Sequence, residues 1–230
     1  MDINIKILYE DKNIIVIEKP AGMPSQPDKT GDTSVLDELS AYFGRGFKTI
    51  VHRLDRPVGG LMVFGKTAES VKNLSEDVKN KIFNKNYYAV CLGAPGKGKM
   101  ILKDYIAKDK RKNLSFISTR EDKNAREAIL EMECVETLTD EKLGEISLVS
   151  INLITGRHHQ IRLQLSNAGY PVLGDRKYGR RTRGVEFPAL YSGSIGFRHP
   201  ISGKEMCFEK TPEYYPFTLF DFGGINERNM

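Results

Sequence analysis

The sequence contains no tryptophan, only three cysteines and four histidines, and no run near the roughly 20 consecutive apolar residues that a bilayer-crossing helix needs. Each absence removes a class of function. Cys91, Cys134 and Cys207 are odd in number and widely spaced, which fits reduced thiols and gives neither a disulfide framework nor a zinc knuckle. There is no Walker phosphate loop, no GxGxxG after a strand and no HExxH, so no nucleotide cofactor and no metal are expected. The adjacent His158 and His159 do not change this, because neighbours on a helix point about 100° apart. Met1-Asp2-Ile3-Asn4 lacks the basic start and apolar run of a signal peptide. A cytoplasmic protein without membrane contact is therefore expected. No repeat, low-complexity tract or long Pro/Gly/Ser linker interrupts residues 1–230, which predicts one domain, monomeric and with no evident protein partner.

What is present is an ordinary globular composition, 40% hydrophobic and 28% charged, with 35 Lys+Arg against 30 Asp+Glu and a net charge of +5. The cations are clustered. Arg176, Lys177, Arg180, Arg181 and Arg183 crowd one stretch, and Lys108, Lys110, Arg111 and Lys112 another, an arrangement that suits a polyanion as well as a solvated face. Ile3, Ile5 and Ile7 alternate with Asn4 and Lys6, and Asp11-Lys12-Asn13 turns the chain into Ile14-Ile15-Val16-Ile17, a hairpin pattern. Thr33 or Ser34 caps a helix carrying Leu36, Leu39 and Phe43, and residues 68–79 form a second, with Val71, Leu74 and Val78 inward. Residues 61–64, 87–92, 128–134 and 146–153 read as strands, and a third helix over about 158–168 is stopped by Gly169. The fold class predicted is α+β, a mixed, largely antiparallel sheet with flanking helices and loops.

Two stretches carry candidate chemistry. Asp55 lies between Arg53 and Arg56 in a Gly- and Pro-punctuated loop that runs into an apolar strand, and flanking cations favour the anion that a carboxylate nucleophile or base needs. In Gly156-Arg157-His158-His159-Gln160-Ile161-Arg162, several donors gather at a helix start, a setting suited to phosphate or carboxylate.

Lys19-Pro20-Ala21-Gly22, His52-Arg53-Leu54-Asp55, Lys85-Asn86-Tyr87, the Gly156 to Arg162 block, Gly169-Tyr170-Pro171-Val172-Leu173-Gly174-Asp175 and Tyr178-Gly179 resemble, in order, the motifs of the RluA-like family of pseudouridine synthases. The resemblance spans almost the whole chain and implies isomerisation of uridine in ribosomal or transfer RNA, without cofactor, on a mixed sheet crossed by a basic cleft. It implies that Asp55 is the catalytic aspartate, Arg162 the arginine paired with it, Tyr87 the tyrosine packed on the target base and Arg53 the side chain that fills the gap that base leaves. Arg56, Arg157, His158, Gln160, Arg176, Lys177, Arg180, Arg181 and Arg183 complete the expected RNA contacts. The sequence departs from the family at Val58-Gly59, where Thr-Ser is common, at Gln164 and at Tyr191, where histidine is common. The small RNA-binding domain that several relatives carry in front is not expected here. Two other readings use the same residues: an RNA-binding module in which Asp55 is dispensable, and a hydrolase of a small anionic substrate.

Overall fold

Asp11 makes the first turn of the chain: its Oδ1 accepts the backbone N–H groups of Asn13 (2.7 Å) and Ile14 (2.8 Å). This closes an antiparallel hairpin of β1 (Lys6–Glu10) and β2 (Ile14–Lys19). The structure is a computed structural model that describes residues 5–44 and 46–222. The hairpin is the one expected, its first strand described from Lys6; Ile3, Asn4 and the rest of the Met1–Asn4 start lie outside the described residues. The chain continues as α1 (Val35–Tyr42), β3 (Gly59–Gly65), α2 (Ala68–Lys79), β4 (Asn84–Leu92), β5 (Lys99–Asp109), β6 (Leu114–Ser118), β7 (Arg126–Asp140), β8 (Gly144–Leu153), α3 (Gln160–Asn167), β9 (Leu190–Arg198) and β10 (Glu205–Glu209). The elements fall into two compact units, one within Met1–Lys85 and Ser192–Lys210, the other within Asn86–Tyr191 and Thr211–Met230.

In the first unit the strand order is β1-β2-β3-β9, with β10 on β9. Ile14, Ile15, Val16 and Ile17 are all fully buried, so β2 is covered on both faces, as a continuous aliphatic run demands. One face packs Ile14 and Val16 with Leu61, Val63, Leu74 of α2, Phe83, Ile195 and Phe197. Burying each such side chain contributes about 1.5–3 kcal/mol. Both helices start on side-chain caps. Thr67 accepts from the Ser70 N–H, and Ser34 and Asp37 form a reciprocal capping box. Gly60 (φ +119°) is required where it stands, because a Cβ there would lie 2.5 Å from the Ser192 nitrogen. It ends the Asp55 loop on a close strand contact that no other residue permits.

In the second unit the order is β4-β8-β7-β5-β6, with every pair antiparallel. Leu163 of α3 packs on Ile106 and Ala128, with Ile117 and Tyr178 against them. The helix begins two residues later than the sequence pattern suggests, because His159 takes a left-handed conformation (φ +55°) at its N-cap. Gly169 (φ +89°) stands just past its end, at the expected stop. The α+β class and the largely antiparallel sheet are those anticipated; β5, β6, β9 and β10 are additional strands. No helix among the described residues is long and apolar enough to cross a membrane.

Candidate active site

Asp55 is half-buried in a loop whose backbone is tied on both sides. The Ser25 hydroxyl donates to the Leu54 carbonyl (2.8 Å) and accepts from the Leu54 N–H (3.3 Å), and the Val58 N–H closes a turn on the Asp55 carbonyl (2.9 Å). Beneath the loop lies Lys19, fully buried. Its ammonium donates all three protons to main-chain carbonyls, those of Pro20 (3.0 Å), Met23 (2.7 Å) and Arg56 (3.0 Å). Burial pushes its pKa down to about 7, with Asp55 opposing the fall and Arg56 adding to it. A buried cation thus acts on the Asp55 carboxylate from within the same unit. His52, also buried, accepts the Val63 N–H at Nε2 (3.2 Å). Its pKa is driven far below the usual histidine value by burial and then by the Lys85 charge, so it is a neutral strut.

Arg56, expected from the sequence to contact RNA, is tied at the surface to its own neighbourhood. Its Nε donates to the Gly22 carbonyl (2.9 Å), Nη1 to Thr30 (2.8 Å) and Nη2 to Asp32, with Asp28 3.8 Å away. Two carboxylates on one short segment neutralise it, so Arg56 folds residues 22–32 around the Asp55 loop. Arg53 is exposed.

In the second unit Arg162, only 3% exposed, forms a two-pronged pair with the fully buried Asp175: Nε to Oδ2 at 2.6 Å and Nη2 to Oδ1 at 2.7 Å. Oδ1 also accepts the N–H groups of Lys177 (2.8 Å) and Tyr178 (3.2 Å), so the carboxylate shapes the turn that starts the basic stretch. The Tyr178 ring lies 5.4 Å from the guanidinium carbon, within cation–π range. Its oxygen accepts the Ser115 N–H (2.7 Å) and pairs with His159 Nδ1 (2.8 Å). Burial and the Arg162 charge bring the pKa of His159 down to about 2, so the imidazole is neutral. The network assigns the Tyr178 proton to that bond and the His159 proton to Nε2. His158 is stacked on His159, with ring centroids 3.7 Å apart, and its Nδ1 meets Ser115 Oγ at 2.9 Å. Among the described residues no cluster of His, Cys, Asp and Glu is arranged to hold a metal ion.

Gln160 corrects a second expectation. It is 3% exposed, and its amide joins Thr155 (2.8 Å), the Arg157 N–H (2.9 Å), the Ile129 carbonyl (3.1 Å) and Gln164 (2.9 Å). With both amide ends engaged inside the unit, it builds the loop before α3 and has nothing left for RNA. Arg157, Arg176, Lys177, Arg180, Arg181 and Arg183 are exposed, and His158 is half-buried. Arg176, Arg181 and Arg183, with Thr182 to Glu186, line an open cleft of about 570 Å³. Tyr87 is buried at 6% exposure on β4, opposite Ile151. Sequence reasoning missed Lys19, Ser25, Ser115, Asp175 and Tyr178 as working parts. Lys19 carried one signal, a lysine two positions past the apolar run Ile14 to Ile17.

Comparison with known proteins matches residues 13–167 to the family model described as RNA pseudouridylate synthase. Ribosomal large subunit pseudouridine synthase C of Rickettsia bellii is 35% identical over 214 residues, 91% of this chain and 69% of that protein. Ribosomal large subunit pseudouridine synthase D of Zymomonas mobilis is 30% identical over 247 residues, 99% of this chain and 75% of that protein. The solved structure of human RNA Pseudouridylate Synthase Domain Containing 1 superposes with a TM-score of 0.78 at 19% identity, covering 93% of this chain and 85% of that one. The last likeness concerns the fold.

Proposed function

Because the chain belongs to the RNA pseudouridylate synthase family, we propose that it acts on a uridine in structured ribosomal or transfer RNA and that Asp55 is the group that carries the chemistry. The protein is an RNA pseudouridine synthase, an isomerase, and the readings as a non-catalytic RNA-binding module or a small-anion hydrolase fall away. Relatives named for the large ribosomal subunit favour ribosomal RNA.

The reaction breaks the N-glycosidic bond of uridine, turns the uracil and rejoins it through a ring carbon. No atom is gained or lost and no electrons leave. The observation that carries the assignment to Asp55 is its mounting: Ser25 and the three-carbonyl grip of Lys19 fix the loop on either side of it. A carboxylate held by such ties needs little reorganisation to act as a nucleophile on base or sugar, or as a base. Tyr87 offers the flat face against which the free uracil is retained. Arg162, oriented by Asp175 and Tyr178, belongs to the catalytic residues in this reading. The target base leaves the RNA stack at a cost of a few kcal/mol, and the exposed Arg53 occupies its place. Arg157, His158, Arg176, Lys177, Arg180, Arg181 and Arg183 bind phosphates. In this reading the two units make one catalytic domain over 1–230 that works as a cytoplasmic monomer.

The test is Asp55→Asn, which keeps the shape and removes the anion. Tritium release from labelled uridine RNA under single-turnover conditions should be abolished while RNA affinity and melting temperature are retained. A rate within about tenfold of wild type would remove Asp55 from the chemical step.

A further inference from the structure

One charged feature is not used by this reading. Within residues 108–112 the chain carries four cations, Lys108, Lys110, Arg111 and Lys112, against one carboxylate, Asp109. All four cations are exposed, at the tip of the hairpin formed by β5 and β6. The carboxylate is occupied locally, since Asp109 Oδ1 accepts the N–H groups of Arg111 (2.9 Å) and Lys112 (3.1 Å). Asp109 therefore shapes the tip while the lysine and arginine heads stay in water.

The tip is also fastened to the Arg162 network. Lys108 pairs directly with Ser115 across the hairpin, and directly opposed residues share a face. On that face Ser115 Oγ meets the His158 ring (2.9 Å) and donates to the His158 carbonyl (2.8 Å), while its N–H donates to Tyr178 (2.7 Å). Lys177 Nζ donates to the Asn113 carbonyl (3.1 Å). The Lys108 charge is among those that depress His159, so it is electrically felt at the start of α3. Phe116, although 47% exposed, pairs with Ala107 and lies on the opposite face.

We infer that the β5–β6 hairpin tip, through Lys108, Lys110, Arg111 and Lys112, is a second contact for the RNA phosphate backbone, continuous with the basic surface at Lys177. This deepens the proposed function and rests on it. Four exposed cations around a single carboxylate suit a polyanion rather than an apolar partner, and Ser115 fixes their position relative to Arg162. Phosphate contacts position the RNA without reading its sequence, so the hairpin sets how firmly RNA is held and leaves the choice of uridine to the site.

The experiment compares wild type with a Lys110→Ala, Arg111→Ala, Lys112→Ala variant on a pre-folded, uridine-containing RNA stem-loop over a range of salt concentrations. A control variant, Lys72→Ala, Lys97→Ala, Lys142→Ala, loses the same charge from exposed positions outside this hairpin. Loss of three phosphate contacts should make the slope of log affinity against log salt shallower by about 2 to 3 units. The control slope should stay near wild type, and the single-turnover rate at saturating RNA should stay within about twofold for both. Equal slopes for the hairpin variant and wild type would overturn the inference, as would equal losses in hairpin and control variants. Modification lost in cells with unchanged affinity for naked RNA would assign the hairpin to a protein partner and overturn it too. Failure of wild type to modify any RNA would instead strike at the proposed function, so the two failures are distinguishable.

Discussion

Replacing Asp175 by asparagine tests whether the buried ion pair holds the second unit together. The substitution keeps shape and volume and exchanges one acceptor oxygen for an NH2 group. In the best orientation the remaining oxygen keeps the Oδ1 bonds to Arg162 Nη2, Lys177 N and Tyr178 N. The new NH2 then faces the Nε–H that Oδ2 now accepts at 2.6 Å, two donors head to head. The side chains of Arg162 and Asp175 are 4% and 0% exposed, so water offers no substitute for the lost carboxylate. Removing one member of such a pair costs about 3–5 kcal/mol. For a chain of this size that is a fall in melting temperature of roughly 6–20 °C. Urea and thermal unfolding of Asp175→Asn, Arg162→Met and the double variant form the cycle that isolates the pair. The expected outcome is a loss of at least about 3 kcal/mol for Asp175→Asn and a coupling of at least about 2 kcal/mol. A loss below about 1 kcal/mol, or additivity within about 0.5 kcal/mol, would mean that the pair does not hold this unit together.

Three further outcomes follow from the same geometry. His159 titrates near 2 in the fold against about 6.5 unfolded, so the stability its neutral form confers is whole above pH 6.5 and lost as pH falls below it. His159→Gln should spare the protein about 2 kcal/mol of the decline between pH 6.5 and 4.5 in urea titrations, and parallel declines would contradict the assignment. Lys19→Met removes three hydrogen bonds, but Arg56 O keeps the Gly22 N–H and a buried ammonium disappears. Unfolding free energy should therefore change by no more than about 2 kcal/mol, whereas the single-turnover rate falls about tenfold or more with RNA affinity retained; an unchanged rate would show that the loop does not need its cation. Neutralising Arg181 and Arg183 of the cleft together should flatten the salt dependence of RNA binding by about 1 to 2 units without changing which uridine is modified, as read by mapping pseudouridine along the RNA.

Local patterns survived translation into structure where the driving force is local. The turn at Asp11, the cap of α1 and the span of α2 depend on residues a few positions apart; the turn and α2 stand where the sequence placed them, and of the two caps it offered, Thr33 and Ser34, the second is used. Strands β5 and β9 were not legible for opposite reasons. In β5 the apolar Ile101 is 65% exposed, so alternation does not track burial. In β9, Leu190-Tyr191-Ser192-Gly193-Ser194 is poor in strand formers and is held by its neighbours. The same contrast runs through the site. Motif order identified the family and named Tyr87 and Arg162, whereas Asp55 already stood out by the arginines on either side of it.

The class of chemistry and the local elements could be read from the chain directly, because periodicity, caps and motif spacing are short-range properties. Which cations are engaged and what orients each group came from the packing of distant segments. Arg56 is paired at the surface with Asp28 and Asp32, Gln160 is consumed by the loop before α3, and Lys19 reaches the Arg56 carbonyl 37 positions away. Arg162 is gripped by Asp175 and faced by Tyr178, while Ser115 from another strand completes the set. A guanidinium in a sequence is only a charge. Whether it meets solvent, RNA or a buried carboxylate depends on desolvation and hydrogen-bond geometry, which come into existence when distant segments pack.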